Sequence, residues 1–394
     1  MKRVLRRITK LVASLFLLAT FAFGMGASRA SAVALEYEFY TPPSTTSGIP
    51  SIALGPDGNM WFVKPNQDQI GKVTPSGVIT EYDLNASDRP LTIAAGPDGN
   101  MWFTTYSKKI GKSTTSGSIT YYDVSSDLGS GYAPWGIAAG PDGNMWVNAP
   151  IVPGGGTGGR IIKITTSGAV TVYNTSIGSK GIVAGSDGNV WFAMGGTSGT
   201  TNYIGRITTS GVITEFELPG LGTGVSSVTL GPDGNVWYVR ITGLNNGTGK
   251  IGKITPAGVA TEYSTGTSIF TQTDVALGPD GKIWFTDGAD SILGEIDTSG
   301  NVSTYELPAN TFPFSVTTGS DNKIWFGNQL TIGKITNTPL PPPPPPPGPE
   351  NPPQAPKSGK ILGAVIATAS LLSIIVLATL EVKKSKLETK NSTK

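Results

Sequence analysis

Acidic side chains that could bind a metal ion or act as a base occur close together at one place in the sequence. They are Asp274, Asp287 and Asp290. Carboxylate oxygens, together with backbone carbonyls, are the ligands that Mg²⁺ and Ca²⁺ prefer. The cluster predicts a divalent-metal site, with Asp287 as the candidate catalytic carboxylate. The alternative is an ordinary solvated loop whose carboxylates bond to backbone amides.

Several aromatic and basic residues stand where the chain departs from its regular pattern, and these could hold a ligand. A flat aromatic ring stacks on a sugar or a peptide, and a guanidinium pairs with an anionic group. The candidate ligand-binding residues are Trp135, Tyr132, Arg89, Arg240, Phe270 and Phe314. For the aromatic members the alternative is packing between structural units, and for the two arginines it is a solvated surface.

Two residue types are missing from the whole sequence, and their absence excludes some chemistry. The chain has no histidine, so neither an imidazole base nor an imidazole metal ligand is available. It has no cysteine, which excludes disulfides and thiol chemistry. Catalysis by a histidine or a cysteine is therefore excluded.

A sequence repeat sets the elements that must position these residues. Gly, then Pro or Ser, then Asp, with Trp four residues after the Asp, recurs seven times. The tryptophans are separated by 41 to 47 residues and are Trp61, Trp102, Trp146, Trp191, Trp237, Trp284 and Trp325. A repeat of this length cannot bury its own apolar faces, so it must stack on its neighbours.

Each repeat contains four short stretches rich in β-branched and aromatic residues, separated by turn formers. In the second copy they are Pro90–Ala95, Met101–Thr104, Ile110–Thr114 and Ser118–Tyr122. Such stretches are typical of strands, and four strands in one repeat form a blade of a β-propeller. The sequence predicts an all-β fold over residues 33–338, a seven-bladed propeller with four-stranded blades.

The seventh repeat lacks its fourth strand, and the start of the repeat region supplies a candidate. The last repeat stops after Ile335 and Thr336, whereas Leu35–Phe39 has the fourth-strand pattern. An open ring would leave an unpaired sheet edge in water. We therefore expect the N-terminal strand to complete the last blade and close the ring.

The repeats resemble those of streptogramin lyases, the virginiamycin B lyase family. The resemblance is carried by segments such as Gly55–Phe62 and Ile70–Tyr82 and extends over all seven repeats. It implies a seven-bladed propeller that opens a cyclic depsipeptide by elimination at its ester bond. It also implies that the chemistry needs histidine and glutamate side chains with a magnesium ion on one face of the ring.

This chain departs from that family at the implied catalytic positions. It has no histidine. Lyase-like repeats often hold Glu two places after the Trp-aromatic pair, and here these places hold Lys64, Thr105, Ala149, Met194, Arg240, Asp287 and Asn328. Only Asp287 is acidic. The resemblance therefore predicts the scaffold without the family's catalytic set.

The two ends of the sequence predict export and anchoring. Residues 1–32 combine basic residues, an apolar stretch and a small-residue cleavage site, as a signal peptide does. An uncleaved anchor is the alternative. Residues 339–360 form a proline-rich stalk, and 361–380 are uncharged and long enough for a transmembrane helix. Residues 381–394 form a basic tail, which places the C-terminus in the cytoplasm.

The propeller is therefore expected outside a cell membrane on a single-pass anchor. A second interpretation stays open, because Ala355–Gly359, the apolar segment and the basic end also resemble a degenerate cell-wall sorting signal. Residues 33–338 hold 24 acidic and 16 basic residues, a net charge of −8. This charge argues against nucleic acid as a partner.

Three functions remain open from the sequence. The leading one is a monomeric, non-catalytic surface module that binds a cell-surface glycan, peptide or protein. The second is a metal-dependent lyase or lactonase-like enzyme that uses Asp287 and Asp274 in place of histidine. The third is a display module without a pocket. No cofactor is predicted beyond a possible role for Mg²⁺ or Ca²⁺.

Overall fold

Four-stranded antiparallel sheets, repeated seven times around a ring, make up the protein. The computed structural model describes residues 35–43, 48–151, 158–176, 178, 181–195, 200–222, 224–241, 249–267 and 273–337. The predicted signal peptide, stalk, transmembrane helix and tail lie outside these residues. Within them, no helix has the length and apolar character needed to cross a bilayer.

The first strand of each blade is innermost, and the chain then moves outward strand by strand. Blade 1 contains β2 (Ile52–Leu54), β3 (Met60–Lys64), β4 (Gln69–Val73) and β5 (Ile79–Asp83). Blade 2 contains β6 (Pro90–Ala95), β7 (Met101–Thr105), β8 (Lys109–Ser113) and β9 (Ile119–Asp123). Blade 3 contains β10 (Gly136–Ala139), β11 (Met145–Ala149), β12 (Gly159–Ile164) and β13 (Val170–Thr175).

The remaining blades follow the same plan. Blade 4 contains β14 (Ile182–Ala184), β15 (Val190–Met194), β16 (Thr200–Ile207) and β17 (Ile213–Gly222). Blade 5 contains β18 (Gly224–Leu230), β19 (Val236–Ile241), β20 (Lys250–Ile254) and β21 (Ala260–Ser264). Blade 6 contains β22 (Val275–Leu277), β23 (Ile283–Asp287), β24 (Ile292–Ile296) and β25 (Val302–Glu306). A short helix α1 (Ser125–Leu128) and a 3-10 turn (Pro65–Gln67) lie in loops.

Blade 7 joins the two ends of the repeat region, as the sequence predicts. It contains β26 (Ser315–Thr318), β27 (Ile324–Gly327), β28 (Ile332–Ile335) and β1 (Tyr37–Tyr40). Strand β1 pairs antiparallel with β28, with Tyr37 opposite Ile335 and Tyr40 opposite Ile332. The seven-bladed fold and its closure by the N-terminal strand are confirmed.

The ring has two faces that differ in how the chain connects its strands. We call the face where the innermost strands begin the mouth face. The opposite face carries the hairpins of the blades, and we call it the hairpin face. Strand β28 ends and β1 begins on the hairpin face. There the Glu36 amide donates to Asn337 Oδ1 over 2.5 Å, and the Thr336 amide donates to the Glu36 carbonyl over 2.8 Å.

The repeated tryptophan of each blade is buried and held in the same way seven times. Its Nε1–H donates to the turn aspartate four residues earlier over 2.9 to 3.2 Å. Its ring stacks on an aromatic ring of the fourth strand at 5.4 to 6.0 Å. Burial would raise the pKa of Asp142, but hydrogen bonds from Lys163 and Trp146 outweigh it and lower that pKa to about 2. The turn aspartates therefore stabilise the blades.

A basic residue on the third strand links most blades to the next one. Lys72 Nζ donates to the Thr115 carbonyl of blade 2 over 2.7 Å, and Lys334 Nζ donates to the Pro75 carbonyl of blade 1 over 3.0 Å. The acceptor lies in each case in the hairpin between the third and fourth strands of the next blade. Blade 7 has no such hairpin, because its third and fourth strands come from opposite ends of the repeat region.

Blade 6, which faces that seam, carries Glu295 at this position instead of a basic residue. Glu295 is 3% exposed, accepts from Lys282 Nζ over 2.5 Å and accepts from the Tyr305 hydroxyl over 3.0 Å. Burial, then the Glu295 charge and hydrogen bond, raise the pKa of Tyr305. Glu295 thus bonds within its own blade, where the other blades carry a basic residue that bonds to a hairpin of the next blade.

We expect the substitution Lys282→Asn to destabilise the protein, although blades 1 to 5 carry Asn at this turn position. The variant removes the cation that faces the buried Glu295 carboxylate, at a cost of about 1.5–3 kcal/mol. Lys323→Asn is the matched control, since blade 7 carries Lys334 where blade 6 has Glu295. Urea unfolding followed by tryptophan fluorescence measures both. Equal stability of the two variants would contradict this account of the seam.

Candidate functional site

A cavity of about 280 Å³ opens at the centre of the mouth face. Its walls are the starts of the innermost strands and the residues just before them. Every blade contributes, for example through Ser51, Leu91, Trp135, Ile182, Ser227, Asp274 and Phe314. A ligand in this cavity would therefore contact residues from the whole ring.

One repeat position forms the inner rim of the cavity and links neighbouring blades. It lies ten residues before each repeated tryptophan and holds Ser51, Thr92, Gly136, Gly181, Ser227, Asp274 and Ser315. In blade 1 the Ser51 hydroxyl accepts from the Ile93 amide of blade 2 over 3.2 Å. A hydroxyl at this rim position is thus sufficient for a hydrogen bond between blades.

Asp274 makes the corresponding link with a carboxylate. Its Oδ2 accepts from the Val316 amide of blade 7 over 3.2 Å. Its Oδ1 accepts from the Ser227 hydroxyl of blade 5 over 2.6 Å and from the Val275 amide over 2.9 Å. Burial raises the pKa of Asp274, and these three hydrogen bonds only partly oppose that effect. Asp274 joins three successive blades at the cavity wall.

Thr273, next to it, also lines the cavity and was not identified from the sequence. Thr273 is 4% exposed, and its Oγ1 has no hydrogen-bond partner among the described residues. Its carbonyl accepts from the Ser226 hydroxyl over 3.2 Å. The sequence could have indicated Thr273 through its position, because it directly precedes the rim residue of blade 6.

Two of the predicted aromatic residues, Trp135 and Phe314, line the cavity. The Trp135 carbonyl accepts from Thr104 Oγ1 over 2.6 Å, and its amide donates to the Asn148 carbonyl over 2.8 Å. The Phe314 amide donates to the Gly327 carbonyl over 2.8 Å. Hydrogen bonds therefore fix the backbone of both residues at the mouth, in blades 3 and 7.

The structure places two other predicted ligand-binding residues, Tyr132 and Arg89, away from the cavity. Tyr132 is 8% exposed and the Arg160 guanidinium covers its ring at 4.4 Å, so this residue packs between loops. Arg89 is exposed and its guanidinium lies over the Tyr106 ring at 5.3 Å. Phe270 lies outside the described residues.

Arg240 corrects both interpretations that the sequence left open. It is 1% exposed, so it is neither on the surface nor accessible to an anionic ligand. Its guanidinium donates to Glu262 Oε1 over 2.6 Å and to the carbonyls of Pro219 and Gly220. Glu262 also accepts from Lys250 Nζ over 3.0 Å. Arg240 is one member of a buried ion-pair network in blade 5.

The structure does not bring the predicted metal ligands Asp274, Asp287 and Asp290 together in the part of the chain that it describes. No three acidic side chains converge there to hold a metal ion. The reason is strand alternation. The Thr286 hydroxyl accepts from the Asp274 amide over 2.9 Å, so the next side chain, Asp287, lies on the other face of the blade. Asp290 is exposed in a loop.

Asp287 is buried and does not line the cavity. Its Oδ1 accepts from the Ala289 amide over 3.2 Å, whereas its Oδ2 has no partner among the described residues. Burial, and then the charge of Asp290, raise the pKa of Asp287. A carboxyl in this environment favours its neutral form more than an exposed one does.

Together the blades and the mouth define a class, the seven-bladed β-propellers with a ligand-sized central cavity. The model of the virginiamycin B lyase family matches residues 31–174, 154–244 and 241–339. The chain belongs to the virginiamycin B lyase family. No curated protein matches the sequence.

Solved structures of this family are similar to the chain over most of its length. One streptogramin B lyase structure is 28% identical, with a TM-score of 0.64, over 77% of this chain and 97% of that one. A catalytically inactive histidine-to-alanine variant of virginiamycin B lyase from Staphylococcus aureus, with quinupristin, is 29% identical, with a TM-score of 0.65, over 77% and 99%. The inactivated residue of that enzyme is a type that this chain lacks throughout.

Proposed function

We propose that this protein is an exported, non-catalytic propeller that binds a cell-surface glycan, peptide or protein at its mouth. The observation that carries the proposal is the central cavity, which all seven blades line with two aromatic rings and a carboxylate. Aromatic faces with a few polar groups are typical of ligand sites. The cavity has room for a ligand. The chain has no histidine, so the cavity lacks the base that the family resemblance implies.

The sequence at both ends of the repeat region supports a surface location. A signal peptide in residues 1–32 and a transmembrane segment in residues 361–380 would export the propeller and anchor it outside the membrane. Attachment to the cell wall is the alternative anchor. The net charge of −8 over residues 33–338 disfavours nucleic acid as a partner.

A carbon–oxygen lyase or lactonase is the second candidate, and one observation favours it. Asp287 is a buried carboxyl with a raised pKa and an unpartnered oxygen among the described residues. Perturbed carboxyls of this kind occur at active sites. Its burial outside the cavity is the argument against this candidate, since a general base must come within hydrogen-bond distance of its substrate.

Binding measurements on the Trp135→Ala variant test the proposal. Calorimetry with soluble wall-glycan fragments and peptides should identify a ligand of the wild-type protein. We expect the variant to bind it about 30-fold more weakly, because a buried aromatic contact contributes roughly 2 kcal/mol. Arg89→Ala is the matched control, since Arg89 is exposed outside the cavity, and it should leave the affinity unchanged.

The same preparations separate binding from catalysis. Incubation with a cyclic depsipeptide, followed by mass spectrometry, detects ring opening by elimination. Ring opening that disappears in Asp287→Asn would support the enzyme and defeat the binding module. If no glycan, peptide or depsipeptide binds, or if Trp135→Ala binds like the wild type, the mouth is not the ligand site.

A further inference from the structure

We propose that the mouth cavity binds a primary ammonium group of its ligand, held by the Asp274 carboxylate and the Thr273 hydroxyl beside the Phe314 ring. This inference rests on the proposed function, because it assumes that the cavity is a ligand site. It specifies the chemical class of the ligand, which neither the fold nor the family relationship does.

The charge of the cavity selects a cation. Among the described residues that line it, Asp274 is the only ionisable one, and none is a lysine or an arginine. A carboxylate removed from water is stabilised by an opposite charge within a few ångströms. An anionic ligand would meet uncompensated repulsion at this site. A cationic group therefore fits the cavity better than an anionic one.

The hydrogen-bonding capacity at this wall also fits an ammonium. A carboxylate can accept about four hydrogen bonds, and Asp274 accepts three. The neighbouring Thr273 Oγ1 has no partner among the described residues although the residue is 4% exposed. Buried hydroxyls are rarely left unpaired. An ammonium has three donors and no acceptor, so it can donate to both groups.

The repeat shows that the carboxylate is not needed for the structural link at this position. In blade 1 the Ser51 hydroxyl makes the same inter-blade hydrogen bond to a backbone amide. Five of the other rim positions hold Ser, Thr or Gly in addition to Ser51, and none of them is charged. The charge of Asp274 is therefore not needed for the link between blades. A substitution by serine can remove the charge and keep a hydroxyl for this hydrogen bond.

Phe314 supplies an aromatic side chain to the same cavity as this carboxylate. Asp274 Oδ2 bonds to the Val316 amide, two residues after Phe314, and Phe314 lines the same cavity. A cation near an aromatic face is attracted by the ring. An ammonium removed from water needs hydrogen-bond acceptors and a negative charge nearby. The carboxylate, the hydroxyl and the aromatic ring can together supply these interactions.

The test compares free amines with their N-acetylated forms, using the wild-type protein and calorimetry. One pair is the tripeptide amide Phe-Ala-Ala with a free or an acetylated amino terminus. The other is a glucosamine tetramer against an N-acetylglucosamine tetramer. We expect one free amine to bind at least about tenfold more tightly than its acetylated partner. The pair that shows this preference identifies the source, a peptide terminus or an amino sugar.

Two substitutions then assign the preference to this wall. Asp274→Ser restores the rim residue of other blades and keeps a hydroxyl for the Val316 amide, so the protein should fold. It should abolish the preference for the free amine. Thr273→Val, which keeps the side-chain shape, should reduce it severalfold. Asp290→Asn, at an exposed site outside the cavity, should leave it unchanged.

Three results would overturn the inference. They are equal binding of amine and acetylated forms, absence of amine binding in both pairs, and an undiminished preference in Asp274→Ser. If the acetylated forms bind and Trp135→Ala weakens them, the proposed function stands and only the ammonium is wrong. If Trp135→Ala has no effect on any bound probe, the proposed function fails as well.

Discussion

Replacing Gly205 by isoleucine should lower the free energy of unfolding by about 3 kcal/mol, the upper range for overpacking of a core. Gly205 lies opposite Phe192 on the neighbouring strand β15 of blade 4. A Cβ added at Gly205 would lie 2.1 Å from the ring of Phe192, a residue that is 1% exposed. The glycine is required here because the aromatic ring occupies the space of its side chain.

Blade 3 provides the compensating change. At the same two positions it carries Val147 opposite Ile162, so a smaller residue on the second strand accompanies a larger one on the third. The double variant Phe192→Val with Gly205→Ile should therefore recover most of the stability that Gly205→Ile loses. Interaction energies of 0.5–3 kcal/mol are typical of residues in contact.

Urea unfolding of the wild type, the two single variants and the double variant gives the coupling energy directly. Phe192→Val alone should also be destabilised, because it leaves a cavity beside Gly205. If the double variant is no more stable than Gly205→Ile, the exchange between the two positions is not the reason for the glycine. A changed dependence of the unfolding free energy on urea would indicate a different native or denatured state instead.

The repeat made the fold predictable because every blade solves the same packing problem. The spacing of the tryptophans predicts seven units, and the fourth-strand pattern of Leu35–Phe39 predicts the closure. What the repeat could not explain was Glu295, an altered third-strand residue in blade 6. It bonds to Lys282 and Tyr305 of its own blade, and the next blade has no hairpin between its third and fourth strands, which only the pairing of β1 with β28 reveals.

The site was predictable only in part, for a different reason. Departures from the repeat pointed to Trp135, Phe314 and Asp274, which line the cavity. The sequence could not decide which side of a blade each residue faces or which partner it meets. Asp287 follows Thr286, which faces Asp274, and so it lies on the opposite side of the blade. Arg240 pairs with Glu262 from the same blade, a pairing that becomes visible only when the strands are aligned.

Removal of strand β1 should have a still larger effect, because it opens the ring. A protein produced without residues 1–41 loses Tyr37, Phe39 and Tyr40. Tyr40 stacks on Trp325 at 5.5 Å, and Phe39 meets Phe326 edge-on at 6.0 Å. The loss of these contacts and of the pairing with β28 should cost on the order of 5 kcal/mol, comparable to the stability of a whole domain.

The reference is a protein produced without residues 1–34, which keeps β1 and should unfold cooperatively at a higher temperature. A synthetic peptide with the sequence of Leu35–Thr41, added to the shorter protein, should restore the missing strand. Its melting temperature should then rise with the logarithm of the peptide concentration, as for any ligand of the folded state. A peptide with Ala in place of Phe39 and Tyr40 should have little effect, because the strand would keep its backbone but lose the rings that pack on blade 7. Equal melting temperatures for the two proteins would show that β1 does not stabilise the ring.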